Sequence, residues 1–162
     1  MPSILRFILA VGLSLGISFN SFAQAEELAD VHSGEQFPYC LVKAQQSVDL
    51  ELELAITPEQ RARGLMYRES VAANQGMLFI YERPRYLGFW MLNTLIPLDI
   101  AYLDTRGEIR QIGQMQPCER QSCPAYRSEH LVNQALEMAA GEFARLGIEV
   151  GDQLVAGACH AH

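Results

Sequence analysis

The amino-acid sequence predicts a β-rich α+β fold: a single compact domain of seven to eight mostly antiparallel strands, barrel-like, with two short helices. Residues 48–56 alternate between apolar and polar, short apolar runs are separated by turn residues, and only two short segments carry helix signals. About 137 residues follow the first 25, which is enough for one domain with its own core. We expect the chain to divide into a signal peptide (1–25), a flexible leader (26–38), the domain (39–158) and a tail (159–162).

The amino terminus is organised like a secretory signal peptide. Arg6 supplies the positive region, residues 7–19 are apolar, and Ala23-Gln24-Ala25 offers a small-x-small cleavage site. The apolar run is shorter than the roughly 20 residues that span a membrane. We therefore expect cleavage after Ala25, with Ala23 as the second choice, and no stable membrane insertion afterwards; a retained anchor is the alternative. The expected location is the periplasm or outside the cell.

The first half of the domain starts with a strand and a capped helix. Residues 48–56 place apolar side chains on one side and carboxylates on the other, as a half-buried strand does. Thr57 and Gln60 have the spacing of a capping box, and Pro58 suits the first helical position. A short helix should therefore start at Pro58 and end near Gly64.

The middle of the chain predicts several strands. Residues 77–81 are continuously apolar and short, as in a central buried strand, and residues 82–85 have the composition of a turn. Gly107 supplies the positive φ that a tight hairpin requires. The elements expected after the turn are strands over 86–92, 98–104 and 108–115, a strand or helix over 131–138, a helix over 141–146 and a turn followed by a strand within 150–155.

Four cysteines remain after signal removal, and an even number in an oxidising compartment predicts disulfides. Four cysteines allow three pairings. Cys118 and Cys123 bracket a four-residue loop, and closing it would stabilise the fold by about 2 kcal/mol. Cys40 and Cys159 lie near the two ends of the domain, and chain termini are often neighbours. We therefore expect Cys118–Cys123 and, on the weaker argument, Cys40–Cys159.

Charge limits the classes of partner. Arg6 is the only charged residue of the first 25, so the mature chain has 11 basic and 19 acidic residues, a net charge of −8. This balance argues against nucleic acid and anionic membranes. Lys43 is the only lysine, and the arginines are scattered from Arg61 to Arg145, which disfavours phosphate-rich partners. A cationic, neutral or sugar-like partner remains open, and we expect no cofactor.

The segment 61–100 carries a resemblance to a known family. It combines Gly-Leu-Met and Gly-Met-Leu steps with Phe89-Trp90-Met91, the pair Asn93-Thr94 and the run Pro97-Leu98-Asp99. Together with Ala135–Gly141, this set resembles the signatures of the DUF192 family, a domain of unknown function. The resemblance extends from Val42 to Val155 and implies a compact β-dominated domain, with a strand over 131–138. The insert between Cys118 and Cys123 resembles one found in exported members, and no specific activity is implied.

A candidate ligand-binding site lies around Trp90 to Asp99. Asn93 and Thr94 lie where a predicted strand stops, and scaffolds often present functional groups at such ends. A carboxylate within an apolar strand, as at Asp99, is costly unless paired, and Arg63 at the helix end is the expected countercharge. Trp90 fits a stacking surface for a sugar or planar ligand. Structural alternatives are a core tryptophan, a turn capped by Asn93 and Thr94, and a structural ion pair at Asp99.

Two other activities stay open as alternatives. A hydrolase acting on an envelope polymer or small molecule would pair Asp99 with Glu129 or Glu137. Copper or zinc binding would use His160 and His162 in the tail, which are weak candidates because a disulfide at the neighbouring cysteine removes the thiolate. No motif supplies a catalytic nucleophile with its base, so we assign no catalytic residue. The sequence favours an exported, non-enzymatic binding or accessory domain for a small ligand, an envelope polymer or a protein.

Overall fold

The structure is a computed structural model that describes residues 34–44, 46–119 and 123–161. The predicted signal peptide, most of the leader and His162 lie outside these residues. No helix within them is long and apolar enough to cross a membrane. The strands are β1 (Gln36–Val42), β2 (Val48–Ala55), β3 (Gln75–Arg85), β4 (Gly88–Phe89), β5 (Leu98–Leu103), β6 (Ile109–Met115), β7 (Tyr126–Arg127), β8 (Val132–Ala139) and β9 (Gln153–Ala156). The helices are α1 (Pro58–Arg63) and α2 (Glu142–Leu146), followed by a 3₁₀ turn over Cys159–Ala161.

Seven strands form one curled sheet in the order β6-β5-β8-β3-β2-β1-β9. All pairings are antiparallel except that of β2 with β3, because α1 lies between these two strands and returns the chain to the same end of the sheet. The edge strands approach each other at one end, where the Leu154 N–H donates to the Gly107 carbonyl over 2.9 Å. Gly107 has a φ of 76°, as predicted, and a Cβ there would collide with the Leu154 carbonyl oxygen. The result is a half-barrel, which confirms the predicted β-rich, barrel-like α+β fold.

The sheet has two apolar faces. The front face is the one that carries Phe79 and Tyr102, and the back face is the one that carries Leu103 and Leu136. The ribbon formed by β4 and β7 covers part of the front face, where Phe89 contacts Phe79 edge-on with ring centroids 5.0 Å apart. Helix α2 packs on the back face through its buried phenylalanine. Because side chains alternate along a strand, neighbouring residues of β5 and β8 point to different faces.

Both predicted disulfides are present. Cys40 in β1 is bonded to Cys159 in the 3₁₀ turn, with Cα atoms 4.7 Å apart, so this bond joins the two ends of the domain. Cys118 is bonded to Cys123, with Cα atoms 5.2 Å apart, and closes the loop that leads from β6 to β7. The chain-terminus argument and the short-loop argument therefore both gave the correct pairing.

The capped helix and the uncertain strand also match the prediction. Gln60 N–H donates to Thr57 Oγ1 over 3.2 Å, while Thr57 N–H donates to Gln60 Oε1 over 2.9 Å, so the capping box is complete. Residues 131–138, which allowed a strand or a helix, form the strand β8, as the resemblance implied. This strand lies between β3 and β5, which explains its high apolar content.

Three segments differ most from the prediction. Strand β1 begins at Gln36, before the predicted start of the domain at residue 39, and is paired on both sides although its sequence does not alternate. The prediction of a turn at 82–85 is wrong, because β3 continues to Arg85. The register of β3 against β8 is irregular between Ile80 and Arg85, which accommodates Pro84. The strand predicted over 86–92 is limited to Gly88–Phe89.

Candidate functional site

A pocket of about 400 Å³ opens on the front face, between α1, the end of β3 and the β4–β7 ribbon. This volume lies within the usual range of small-molecule sites. The lining has three chemical components: basic side chains, aromatic side chains and one buried carboxylate. The basic residues are Arg61, Arg63, Arg85 and Arg127, the aromatic residues are Phe79, Tyr81, Tyr86, Phe89 and Trp90, and the carboxylate is Glu137.

Glu137 lies at the buried end of the pocket, in the middle of β8. It is paired with Met77 of β3 on one side and Ile100 of β5 on the other, and only 5% of its surface is exposed. No described residue forms a hydrogen bond or ion pair with its carboxylate, and burial raises the pKa of Glu137 to about 8. Strand β3 comes close to the backbone of β8 at this point, which requires glycine at position 76, because a Cβ there would collide with the Glu137 carbonyl oxygen. A carboxylate without partners is costly in such a place.

Arg61 and Arg85 lie on either side of one aromatic ring. The guanidinium carbon of Arg61 is 4.6 Å from the ring centroid of Tyr81, and that of Arg85 is 5.8 Å from the same centroid. Arg61 also donates to the carbonyls of Ile56 and Ile80, the latter over 3.0 Å, so it fixes α1 against β3. Arg61 therefore has a structural role as well. Arg85 is exposed, and its guanidinium group forms no hydrogen bond or ion pair with a described residue.

The pocket arginines differ from most other arginines of the protein. None of the four forms a salt bridge with a described residue. Elsewhere, carboxylates neutralise the arginines in pairs: Arg68 with Glu53, Arg106 and Arg110 with Glu108, and Arg145 with Glu142. Four of the arginines, which are scattered along the sequence, thus lie together at the opening of the pocket.

Two large aromatic side chains lie at the rim. Trp90 is 58% exposed and Tyr86 is 65% exposed, although both belong to a stretch that we expected to form a strand. Large exposed aromatic residues beside a pocket provide a flat apolar surface for a ligand. The core interpretation of Trp90 is therefore wrong, and its position is compatible with the stacking interpretation.

The structure brings three of the five predicted site residues to this pocket: Arg63, Trp90 and Thr94. Asn93 does not line it. Its φ is 60°, its carbonyl accepts from the Tyr67 N–H over 2.8 Å, and it borders a separate shallow depression. Asn93 has the geometry of the turn that we gave as the structural alternative.

Asp99 lies on the back face and is a structural residue. One carboxylate oxygen accepts from the Gly141 N–H over 2.8 Å and from the Phe143 N–H over 3.0 Å; the other accepts from Gln114 Nε2 over 3.1 Å. The expected pairing with Arg63 is wrong, since Arg63 is on the front side and forms no ion pair with Asp99 within the described residues. The carboxylate instead fixes the start of α2 on the sheet.

The same geometry separates the carboxylates that a hydrolase would need. Asp99 pairs with Met138 and Ile100 pairs with Glu137, so Asp99 and Glu137 project to opposite faces of the sheet. Glu129 is exposed and does not line the pocket. The two carboxylate pairs suggested by the sequence are therefore not formed.

Sequence reasoning missed Arg85, Arg127 and Tyr86 as pocket residues. Arg127 comes to the pocket because β7 pairs with β4, with Arg127 opposite Gly88. This pairing joins segments about 40 residues apart, for which the local pattern carries no signal. A local sequence signal did exist for Glu137, because it is a charged residue between Leu136 and Met138 in an apolar strand.

The metal alternative has little geometry to support it. Among residues 34–44, 46–119 and 123–161, no group of three or more His, Cys, Asp or Glu side chains is placed to bind a metal ion. Cys159 is in a disulfide bond, His160 is exposed, and His162 is outside the described residues.

Comparison with models of protein families identifies the family of this chain. The DUF192 family model, described as uncharacterized ACR, matches residues 40–156. The chain is similar to a putative transcription regulator from Sinorhizobium meliloti (36% identity, TM-score 0.70, 75% of this chain and 93% of that one). It is also similar to a protein of unknown function from Novosphingobium aromaticivorans (30% identity, TM-score 0.69); that match covers 76% of this chain and 89% of the other. No curated protein is significantly similar. The chain belongs to the DUF192 family.

Proposed function

We propose that this protein is an exported, non-enzymatic binding domain whose front-face pocket binds a small ligand. Glu137 is the observation that carries the proposal, because it is a buried carboxylate that lines an open pocket and has no partner among the described residues. Folded proteins satisfy nearly all buried polar groups, and exceptions are concentrated at functional sites. A ligand that forms hydrogen bonds with Glu137 would satisfy it.

Binding is favoured over hydrolysis by the content of the pocket. Glu137 is the only carboxylate among the described residues that line it, and glycoside hydrolysis of the usual kind needs two. Glu53, another buried carboxylate, is bound by Arg68 through both of its oxygens. The pocket therefore offers recognition groups without an acid–base pair.

Export is supported by the amino-terminal sequence and by the two disulfides. Residues 1–25 have the pattern of a signal peptide, and structural disulfides are typical of oxidising compartments. The intact mass of the protein from the periplasmic fraction tests this part. A mass that corresponds to cleavage after Ala25 or Ala23 is expected, and a full-length, membrane-bound species would contradict export.

The description of one relative as a putative transcription regulator belongs to that protein. The present chain has a net charge of −7, and four of its arginines surround a concave pocket. A nucleic-acid surface normally has a basic stripe or patch that follows the phosphate backbone. The charge distribution therefore favours a small ligand.

Chemical-shift mapping with a defined panel tests the binding proposal. The panel contains neutral sugars, amino sugars, sugar acids, sugar phosphates, amino acids and dipeptides, each added to the labelled mature protein. We expect at least one compound to cause saturable shifts around Tyr81, Gly88 and Glu137. The variant Glu137→Gln should weaken that binding at least tenfold, and Glu129→Gln, an exposed control, should not. No saturable shift in the pocket with any panel member would refute the proposal.

A further inference from the structure

We infer that the ligand is a hydroxylated acid of about monosaccharide size, with its carboxylate or phosphate at the pocket arginines and its hydroxyl groups at Glu137. This inference rests on the proposed function and names the class of ligand. It depends on a different observation, namely the four arginines and the exposed aromatic residues at the opening.

The charge of the opening is the first argument. Arg63, Arg85 and Arg127 are exposed, and neither they nor Arg61 have a carboxylate partner among the described residues, in a chain with seven more acidic than basic residues. Carboxylates were available to neutralise Arg68, Arg106, Arg110 and Arg145. Guanidinium groups bind carboxylate and phosphate with paired hydrogen bonds. A cluster without a countercharge therefore indicates an anionic group on the ligand.

The buried end of the pocket requires a different group. Because burial raises the pKa of Glu137 to about 8, this side chain is protonated near neutral pH and presents an O–H donor beside an acceptor oxygen. A ligand hydroxyl group both donates and accepts hydrogen bonds, so it satisfies Glu137 in the protonated and in the ionised form, whereas the ionised form would repel an anionic ligand group. The ligand must therefore have an acid at one end and hydroxyl groups at the other. Sugar acids and sugar phosphates have this arrangement.

The rim supports a ring-shaped ligand. Trp90 and Tyr86 are more than half exposed and lie beside the arginines. Aromatic faces of this kind pack against the C–H face of a pyranose ring while its hydroxyl groups remain free for polar contacts. The pocket volume of about 400 Å³ is sufficient for one such ring with its acidic substituent.

The fluorescence of Trp90, the only tryptophan of the sequence, provides the test. The mature protein is titrated with glucuronate, glucose 6-phosphate, glucose and glucosamine. We expect saturable changes with at least one of the two acids, and a Kd for that acid at least tenfold lower than that for glucose or glucosamine. Tighter binding of glucuronate assigns a carboxylate to the ligand, and tighter binding of glucose 6-phosphate assigns a phosphate.

Arginine variants show whether the acid binds where we infer. Arg85→Gln and Arg127→Gln should each raise the Kd of the acid about tenfold and leave glucose binding unchanged. Arg83→Gln is the matched control, because Arg83 is exposed, belongs to the same strand as Arg85 and does not line the pocket. Equal binding of glucose or glucosamine, equal effects of Arg83→Gln and Arg85→Gln, or no response to either acid overturns the inference. The binding proposal itself is decided separately by the wider panel and Glu137→Gln.

Discussion

Asp99 and Glu137 are buried to nearly the same extent, 6% and 5% exposed, in adjacent strands of one sheet. On the back face, Asp99 accepts three hydrogen bonds, two of them from backbone N–H groups at the start of α2. On the front face, Glu137 has no described partner and lines an open pocket. Burial of a carboxylate is therefore not enough to identify a functional residue, and the presence or absence of protein partners separates the two cases.

Glu53 shows that the fold can also satisfy a carboxylate on the front side. It lies in β2 opposite Met77, which is in turn opposite Glu137 in β8, so these residues occupy one row across the sheet. Arg68 donates to both oxygens of Glu53, with Nη2 2.6 Å from Oε2. Of the three carboxylates that are buried among the described residues, two thus have a structural explanation, and the third is the one in the pocket.

The largest expected effect is the pH dependence that Glu137 imposes on stability. Its pKa is raised from 4.5 to about 8 in the folded state, so the folded protein retains a proton that the unfolded chain releases. The stabilisation is fully present below pH 4.5 and is lost as pH rises through about 8, by on the order of 4 kcal/mol at most. Urea unfolding across pH 4.5–8 should show this slope for the wild type. The pH profile of the free energy of unfolding should be flatter for Glu137→Gln and the same as that of the wild type for Glu129→Gln. Identical profiles for the wild type and Glu137→Gln would contradict the raised pKa of Glu137.

Removing Asp99 should have the next largest effect. Asp99→Ala leaves the N–H groups of Gly141 and Phe143 without an acceptor, and losing two charge-assisted hydrogen bonds should lower the free energy of unfolding by about 3 kcal/mol. Asp99→Asn keeps one acceptor oxygen and should lose roughly half as much. Denaturant unfolding at pH 7 measures both variants. A loss of less than about 1 kcal/mol in Asp99→Ala would show that these hydrogen bonds do not fix α2.

The ion pair between Arg68 and Glu53 allows a test within the same row of the sheet. Arg68→Ala turns Glu53 into a buried carboxylate without its partner, which should lower the free energy of unfolding by about 2 kcal/mol, since Arg68 is partly exposed. The double variant Arg68→Ala, Glu53→Gln should recover part of that loss, because no charge remains unpaired. A double-mutant cycle gives the coupling between the two residues. No coupling would mean that Glu53 is satisfied in another way.

Local sequence patterns were sufficient for most of the fold. The alternation of residues 48–56, the capping box at Thr57 and the loop between Cys118 and Cys123 are short-range signals, and each gave the correct element. Strand β1 was missed because its stability comes from β2 and β9 on either side, and its own pattern is irregular. The prediction of a turn at 82–85 failed because β3 continues through Pro84 at a register irregularity, whereas the local pattern treats proline as a strand breaker.

The candidate site was less predictable, because it depends on which face each strand presents. Arg63 was predicted from its position at the end of a helix, Trp90 from its aromatic side chain and Thr94 from its position at a strand end; all three line the pocket. Asp99 projects to the back face instead. A shift by a single position along a strand moves a side chain to the other face. Arg127 reaches the pocket through the pairing of β7 with β4, which no local signal indicates.

The smallest expected effect is the change in stability when a pocket arginine without a carboxylate partner, or an arginine in a salt bridge, is replaced. Arg85 and Arg127 have like-charged neighbours and no described carboxylate partner, so Arg85→Gln or Arg127→Gln should change the stability of the ligand-free protein by only about 0.3 kcal/mol, in the stabilising direction. Arg145→Gln removes the bonds to Glu142 and to Asn74 and should destabilise the protein. Thermal unfolding at low and high salt measures these differences, and salt should reduce both because it screens exposed charges. Destabilisation by Arg85→Gln as large as that by Arg145→Gln would mean that the pocket arginines support the fold, and the contrast between the pocket and the paired regions would then disappear.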